Sequence, residues 1–157
     1  MQRLSSMTYD EVLPLEEVKN YLRIDTDFTE DDNDIKRMSK SALQYIEMQT
    51  NHIFSLQDKT YSNPQGSCVE VYDYPVNTQT PDDITRLDYS LKYVYNTDKI
   101  TLNVGYTNRD AIPAALIDCA LQIIKVFYFE HEKASNTTLI PESVKAVLYT
   151  YKRFIVC

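Results

Sequence analysis

The 157-residue sequence, of 18.3 kDa, is 43% hydrophobic and 25% charged, so it is long enough to bury a domain core without disulfides or metal. Its only glycines, Gly66 and Gly105, lie far apart, which excludes the glycine-rich loops of dinucleotide-binding and phosphate-binding enzymes. The net charge of −7 gives no basic excess for nucleic-acid binding, and no apolar run approaches the roughly 18 residues of a membrane span.

The cellular compartment and the number of domains can also be predicted from the sequence. The amino terminus lacks the basic, apolar and small-residue order of a signal peptide. Cys68, Cys119 and Cys157 are odd in number and widely separated, which fits reduced thiols better than a disulfide framework. We therefore expect an acidic single domain, over residues 1–157, that is made in the cytoplasm.

Negative charge is concentrated near the amino terminus. Residues 10–34 contain ten acids and two bases, a net charge of −8, so the rest of the chain has a net charge of +1. No acid follows Glu142, whereas Lys145, Lys152 and Arg153 do. This asymmetry could align neighbouring copies in an assembly, or it could suit helix ends in a monomer.

Two helices are predicted in the first third of the chain. Residues 14–23 carry apolar side chains at helical spacing, with Pro14 suited to the first helical position. Residues 29–51 predict a longer second helix, capped by Thr29 and with acids in its first turn, where the helix dipole favours them. Its apolar face follows the 3.6-residue period through Ile35, Met38, Ala42, Leu43 and Ile46.

From residue 53 to residue 106 the apolar period changes to two, which predicts strands. Residues 69–72 alternate in this way, and residues 75–83 have the composition of a loop. A hairpin is predicted between residues 91–95 and 100–106, joined by the polar residues 96–99.

Two further helices are predicted after the strands, over residues 113–133 and 141–155. The third helix is apolar around most of its circumference, but Phe129 lies on its narrow polar stripe. The predicted fold class is therefore α+β: a mainly helical, four-helix core with a small antiparallel β element inserted between helices 2 and 3.

Several of these segments together resemble the head–tail connector (adaptor) proteins of long-tailed bacteriophages. The resemblance begins with Leu-Glu-Glu-Val-Lys-Asn-Tyr-Leu-Arg-Ile-Asp at residues 15–25, followed by the acidic stretch 30–35 and the long helix. It continues with Val-Gly-Tyr at residues 104–106 and Ile-Pro-Ala-Ala-Leu at 112–116. The closing helix of the family is matched by residues 140–153, and the order and spacing of these motifs cover nearly the whole chain.

The resemblance implies a structural virion protein, not an enzyme. About twelve copies would form a homo-oligomeric ring beneath the portal protein at the head–tail junction. The ring would extend the channel through which double-stranded DNA passes without specific binding, and would meet a downstream neck or tail-completion protein. It implies no cofactor and no membrane. The alternative from another class is a small acidic regulatory or inhibitory protein that binds its partner as a monomer.

Candidate interface residues follow from their positions in the predicted helices. A phenylalanine on a polar stripe suggests that Phe129 meets another subunit or the portal, unless this stripe packs against the fourth helix. Lys145, Lys152 and Arg153 could dock an acidic neighbour, although cations near a helix carboxyl terminus also stabilise its dipole.

The acids before the second helix are candidates for an acidic rim or channel lining; they are Asp27, Glu30, Asp31, Asp32 and Asp34. Helix capping can coexist with that role. A calcium loop starting at Asp25 is disfavoured, because Glu30 and Lys36 stand where an EF-hand needs Gly and Glu. His52, His131 and the cysteines have no ligand spacing, so the sequence predicts no metal site and no catalytic residue.

Overall fold

The computed structural model describes residues 7–77, 84–87, 92–130 and 140–153, with backbone only for 84–87 and 130. Its helices are α1 (Tyr9–Val12), α2 (Leu15–Leu22), α3 (Asp32–Thr50), α4 (Ala114–Glu130) and α5 (Glu142–Tyr151). Its strands are β1 (Gln57–Ser62), β2 (Val69–Val71), β3 (Ile84–Leu87), β4 (Tyr93–Tyr95) and β5 (Lys99–Val104). The predicted α+β class is confirmed.

The four predicted helices are present with slightly shorter bounds, and α1 is an addition. Helix α1 follows Thr8, whose backbone N–H donates to Oε2 of Glu11 at 2.6 Å. This is one half of a capping box, a Thr-x-x-Glu signal that the sequence contains and that the prediction overlooked. Residues 131–133 and 154–155, predicted to be helical, lie outside the described residues.

The helices pack around one apolar cluster. Helix α3 contributes Ile35, Ala42, Leu43 and Ile46, all fully buried, with Met38 packed against them, as the 3.6-residue period predicts. Helix α4 packs along α3 and buries Leu116, Ala120, Ile123 and Ile124. Val144 and Leu148 of α5 complete the cluster.

The predicted hairpin between residues 91–95 and 100–106 is wrong in its pairing. Strand β5 pairs antiparallel with β1, whereas β4 lies between β2 and β3 in a second antiparallel sheet. The chain bends at residues 96–98, and β4 and β5 join different sheets, although both bury side chains in a second apolar cluster. Of the predicted loop 75–83, residues 78–83 lie outside the described residues.

The predicted Thr29 cap is also wrong, because α3 begins at Asp32. Residues 29–31 form a turn in which the backbone N–H of Asp32 donates to the carbonyl of Thr29 at 3.3 Å. The acids 30–31 therefore precede the helix, and only Asp32 and Asp34 stand in its first turn.

Candidate functional site

The loop before α3 is held by a buried lysine. Lys19 lies on the apolar face of α2, and its side chain is only 4% exposed. Its ammonium donates to the carbonyls of Thr26 at 3.2 Å and Phe28 at 2.6 Å, and lies 2.5 Å from Oδ1 of Asp32. Two hydrogen bonds and one ion pair compensate the burial of this charge, and they fix the loop to α2.

Sequence analysis missed Lys19, although a signal was present. A residue four positions after Leu15 and three before Leu22 falls on the stripe that those two side chains define. A cation on an apolar stripe points inward, so it needs carbonyl or carboxylate partners nearby.

The amino end of α3 lies beside the carboxyl end of α4. The hydroxyl of Tyr128 donates to Oδ2 of Asp31 at 2.6 Å, and this hydrogen bond, with some burial, raises the pKa of Tyr128 to about 12. Phe129 packs edge-on against the Tyr128 ring, with 5.1 Å between the ring centres. Its side chain is 56% exposed, so the polar stripe of α4 faces solvent here and does not pack against α5.

The five predicted rim acids differ in their surroundings. Asp27, Glu30 and Asp34 are exposed, whereas Asp31 and Asp32 are half-buried and bonded to Tyr128 and Lys19. Asp34 is paired with Arg37 at 3.0 Å on the surface. Within the described ranges, Asp27 and Glu30 form no ion pair, so they contribute uncompensated charge. We call the surface formed by Asp27, Phe28, Glu30, Asp31 and Phe129 the acidic end.

The structure brings Lys145 and Lys152 together in a groove between α3 and α5. The groove has a volume of about 200 Å³. Its lining residues are Tyr45, Gln49, Lys145, Leu148, Tyr149 and Lys152. Lys152 is exposed, Lys145 is half-buried and pairs with Glu142 at 2.6 Å, and Tyr149 is 63% exposed. We call it the α5 groove.

Arg153 is placed differently from the two lysines. It is 5% exposed, and its guanidinium lies over the rings of Tyr74 and Tyr93, 4.8 and 5.2 Å from their centres. Its backbone N–H donates to the carbonyl of Thr50 at 3.2 Å, which attaches the end of α5 to the end of α3. Unlike Lys152, the candidate interface residue Arg153 is therefore covered by aromatic rings of its own chain and takes no part in the α5 groove.

An aromatic cluster surrounds Arg153. Nδ1 of His52 and the hydroxyl of Tyr106 share a hydrogen bond of 2.7 Å, and the rings of Tyr74 and Tyr151 meet the imidazole edge-on. Burial, with the charge of Arg153, lowers the pKa of His52 to about 4. His52 is therefore neutral at pH 7 and serves as a packed, hydrogen-bonded core residue.

Two further properties concern the described ranges only. No three His, Cys, Asp or Glu side chains come close enough together there to bind a metal ion. None of the helices there combines the length and the apolar character needed to cross a bilayer.

Comparisons with known proteins identify the family and the fold of the chain. Residues 13–156 match the family of phage gp6-like head-tail connector proteins. No curated protein matches the sequence.

Two solved chains share the fold. One comes from the neck of an empty gene transfer agent particle computed with C6 symmetry, at 17% identity and a TM-score of 0.68, covering 100% of this chain and 95% of that one. The other comes from the virion of a native gene transfer agent particle, at 14% identity and a TM-score of 0.69, covering 99% and 96%.

The family match covers nearly the whole chain and includes α2–α5, the acidic end and the α5 groove. It describes a family of structural connector proteins, not of regulators or enzymes. The chain belongs to the phage gp6-like head-tail connector family and is a structural protein of the virion head–tail junction.

Proposed function

We propose that residues 1–157 work as one connector domain, which forms a homo-oligomeric ring beneath the portal protein and provides a platform for a downstream neck or tail-completion protein. The observation that carries the proposal is that the acidic end and the α5 groove lie toward opposite ends of the same long helix. Two complementary surfaces on one subunit allow a heterologous contact, and such a contact closes into a ring when its rotation is a whole fraction of a turn.

We propose about twelve copies in this ring. The neck chain of the gene transfer agent comes from a particle computed with six-fold symmetry. A ring of twelve contains a six-fold axis, so this symmetry supports six or twelve copies over an odd number. Counting subunits in top views of the assembled ring tests the number directly.

The net charge suits a channel for DNA. Twelve copies at −7 each carry about −84 formal charges, which creates a strong negative field if part of it lines the lumen. A wall of this sign repels phosphates, so double-stranded DNA would pass without being held. Asp27, Glu30 and Asp34 are exposed, and we assign them to an acidic rim at the boundaries between subunits, whereas Asp31 and Asp32 support the loop before α3.

The experiment is to mix the purified protein with the assembled portal protein of the same genome and to image the product by electron microscopy. We expect a stoichiometric ring stacked coaxially on the portal. Portal alone and connector alone are the controls, since a ring protein can stay monomeric until a template is present. A folded connector that leaves the portal bare would refute the proposal.

A further inference from the structure

The α5 groove has the composition of a docking site. Tyr149, at 63% exposure, and the half-buried Tyr45 provide apolar area with polar tips, a combination enriched at protein interfaces. Lys145 and Lys152 stand two turns apart in its lining, and although Lys145 is paired with Glu142, the two lysines give this region a net positive charge. Its occupant should therefore offer carboxylates next to an apolar or aromatic side chain.

The acidic end offers that combination. Asp27 and Glu30 are exposed acids, and Phe28 between them is 40% exposed. Phe129, at 56% exposure, packs against Tyr128, whose hydroxyl binds Asp31 of the same loop. The loop is fixed by Lys19, so charged and aromatic groups keep their relative positions. The acidic end and the α5 groove thus match in charge and in apolar content.

The two surfaces cannot meet within one copy. Tyr45, the first groove residue along α3, stands 13 positions after Asp32, which is about 20 Å along a straight helix at 1.5 Å per residue. The acidic end precedes Asp32. Contact between the surfaces therefore requires a second chain, and the head-to-tail order repeats from copy to copy.

We infer that the acidic end of one subunit docks into the α5 groove of the next, with Asp27 and Glu30 facing Lys145 and Lys152 and with Phe129 against Tyr149. The inference rests on the ring of the proposed function and names the surfaces that build it. A face-to-face dimer is disfavoured, because it would bring two acidic ends or two basic grooves together. Unlike charges instead select the head-to-tail order that a ring needs.

The experiment is a charge-reversal complementation. One variant, Asp27→Lys/Glu30→Lys, reverses the acidic end; the other, Lys145→Glu/Lys152→Glu, reverses the α5 groove. Each variant alone places like charges at every contact, so its ring yield on the portal should fall about tenfold or more. An equal mixture restores opposite charges at every contact, in a ring in which the variants alternate, and the yield should recover.

Matched controls separate charge from location. Asp10→Lys/Asp98→Lys and Lys99→Glu change exposed charges away from both surfaces and should assemble normally. Circular dichroism and thermal unfolding verify that each variant is folded. Variants that assemble alone would overturn the inference. Variants that fail alone and also fail as a mixture would equally overturn it, because both surfaces would then serve the portal or another virion protein.

This design separates the inference from the proposed function. If the unaltered chain builds rings on the portal and the mixture does not, the proposed function is supported and the assignment of the contact surfaces is wrong. If the unaltered chain builds no ring, the proposed function itself fails.

Discussion

Nζ of Lys19 lies 2.5 Å from Oδ1 of Asp32, and it joins the end of α2 to the start of α3 from a position that is almost fully buried. The same ammonium holds two carbonyls of the intervening loop. The backbone of the acidic end therefore depends on a cation that is not itself at the surface.

Replacing this lysine should be costly. Lys19→Met keeps the length of the side chain but leaves two carbonyls and the half-buried carboxylate of Asp32 without their donor. We expect a loss of about 2–4 kcal/mol in the free energy of unfolding, measured by urea denaturation. Lys40→Met, on the exposed face of α3, is the matched control and should change it by less than about 0.5 kcal/mol. Equal effects of the two substitutions would contradict the buried network.

Phe129 should matter for assembly and little for folding. Its ring is 56% exposed and touches Tyr128, so Phe129→Ala should alter the free energy of unfolding by no more than about 0.5 kcal/mol. Removal of an aromatic side chain from the proposed contact should lower the ring yield on the portal severalfold, as counted in electron micrographs. Phe54→Ala is the opposite case, because Phe54 is fully buried and its loss should destabilise the fold by about 3–5 kcal/mol. An unchanged ring yield for Phe129→Ala would exclude Phe129 from the interface.

His52 should make stability depend on pH between about 4 and 6.5. Burial and Arg153 lower its pKa in the folded chain to about 4, so between that value and 6.5 only the unfolded chain binds the proton. The free energy of unfolding therefore falls as the pH is lowered through this window, and levels off below it.

The size of this effect is up to about 3 kcal/mol, since one pKa unit corresponds to about 1.36 kcal/mol. Comparing the chain with its His52→Gln variant at each pH isolates the imidazole from other groups, such as Glu47, whose pKa is raised by burial. A difference between the two proteins that stays constant from pH 7 to pH 4 would rule out a buried neutral histidine.

Gly105 should tolerate no side chain. Its φ of +113° is a conformation that side chains rarely adopt, and an added Cβ would stand 2.4 Å from the carbonyl oxygen of Ser55. We expect Gly105→Ala to lower the free energy of unfolding by about 3 kcal/mol, from backbone strain and overpacking together. Gly66→Ala is the comparison, because its Cβ would meet the side chain of Asn63, which can move. Chemical denaturation measures the free energy of unfolding of both variants. The prediction is wrong if Gly66→Ala lowers it more than Gly105→Ala does.

Helix positions were predictable because helical periodicity is a local property. The apolar stripe of α3 recurs at helical spacing through Ile35, Ala42, Leu43 and Ile46, and all four side chains are buried as expected.

Strand pairing was not predictable in this way. β4 and β5 are separated by a short polar link that is typical of a hairpin, yet each finds its partner elsewhere, β5 with the distant β1 and β4 with β2. The burial of Val71, Tyr95 and Leu102 in one cluster decides that pairing, and it involves segments far apart in the chain.

The candidate surfaces likewise combine features that the sequence predicts with features that only the structure reveals. Lys145 and Lys152 could be placed near each other from helical spacing, and Phe129 could be recognised as an exposed aromatic residue on a polar stripe. Arg153 could not be separated from the lysines, because its burial depends on Tyr74 and Tyr93, which come from the β region. The position of a side chain around one helix can be predicted from the sequence, whereas contacts between distant segments can be seen only in the structure.

The attachment of the acidic loop by Lys19 has a consequence for the energetics of assembly. A flexible acidic segment would lose conformational entropy each time it became ordered against a neighbour, and much of its electrostatic attraction would offset that loss. Here the ordering accompanies the folding of the subunit itself, through bonds to Thr26, Phe28 and Asp32. The acidic end is preorganised, so the free energy of each new contact remains available for holding the subunits in register.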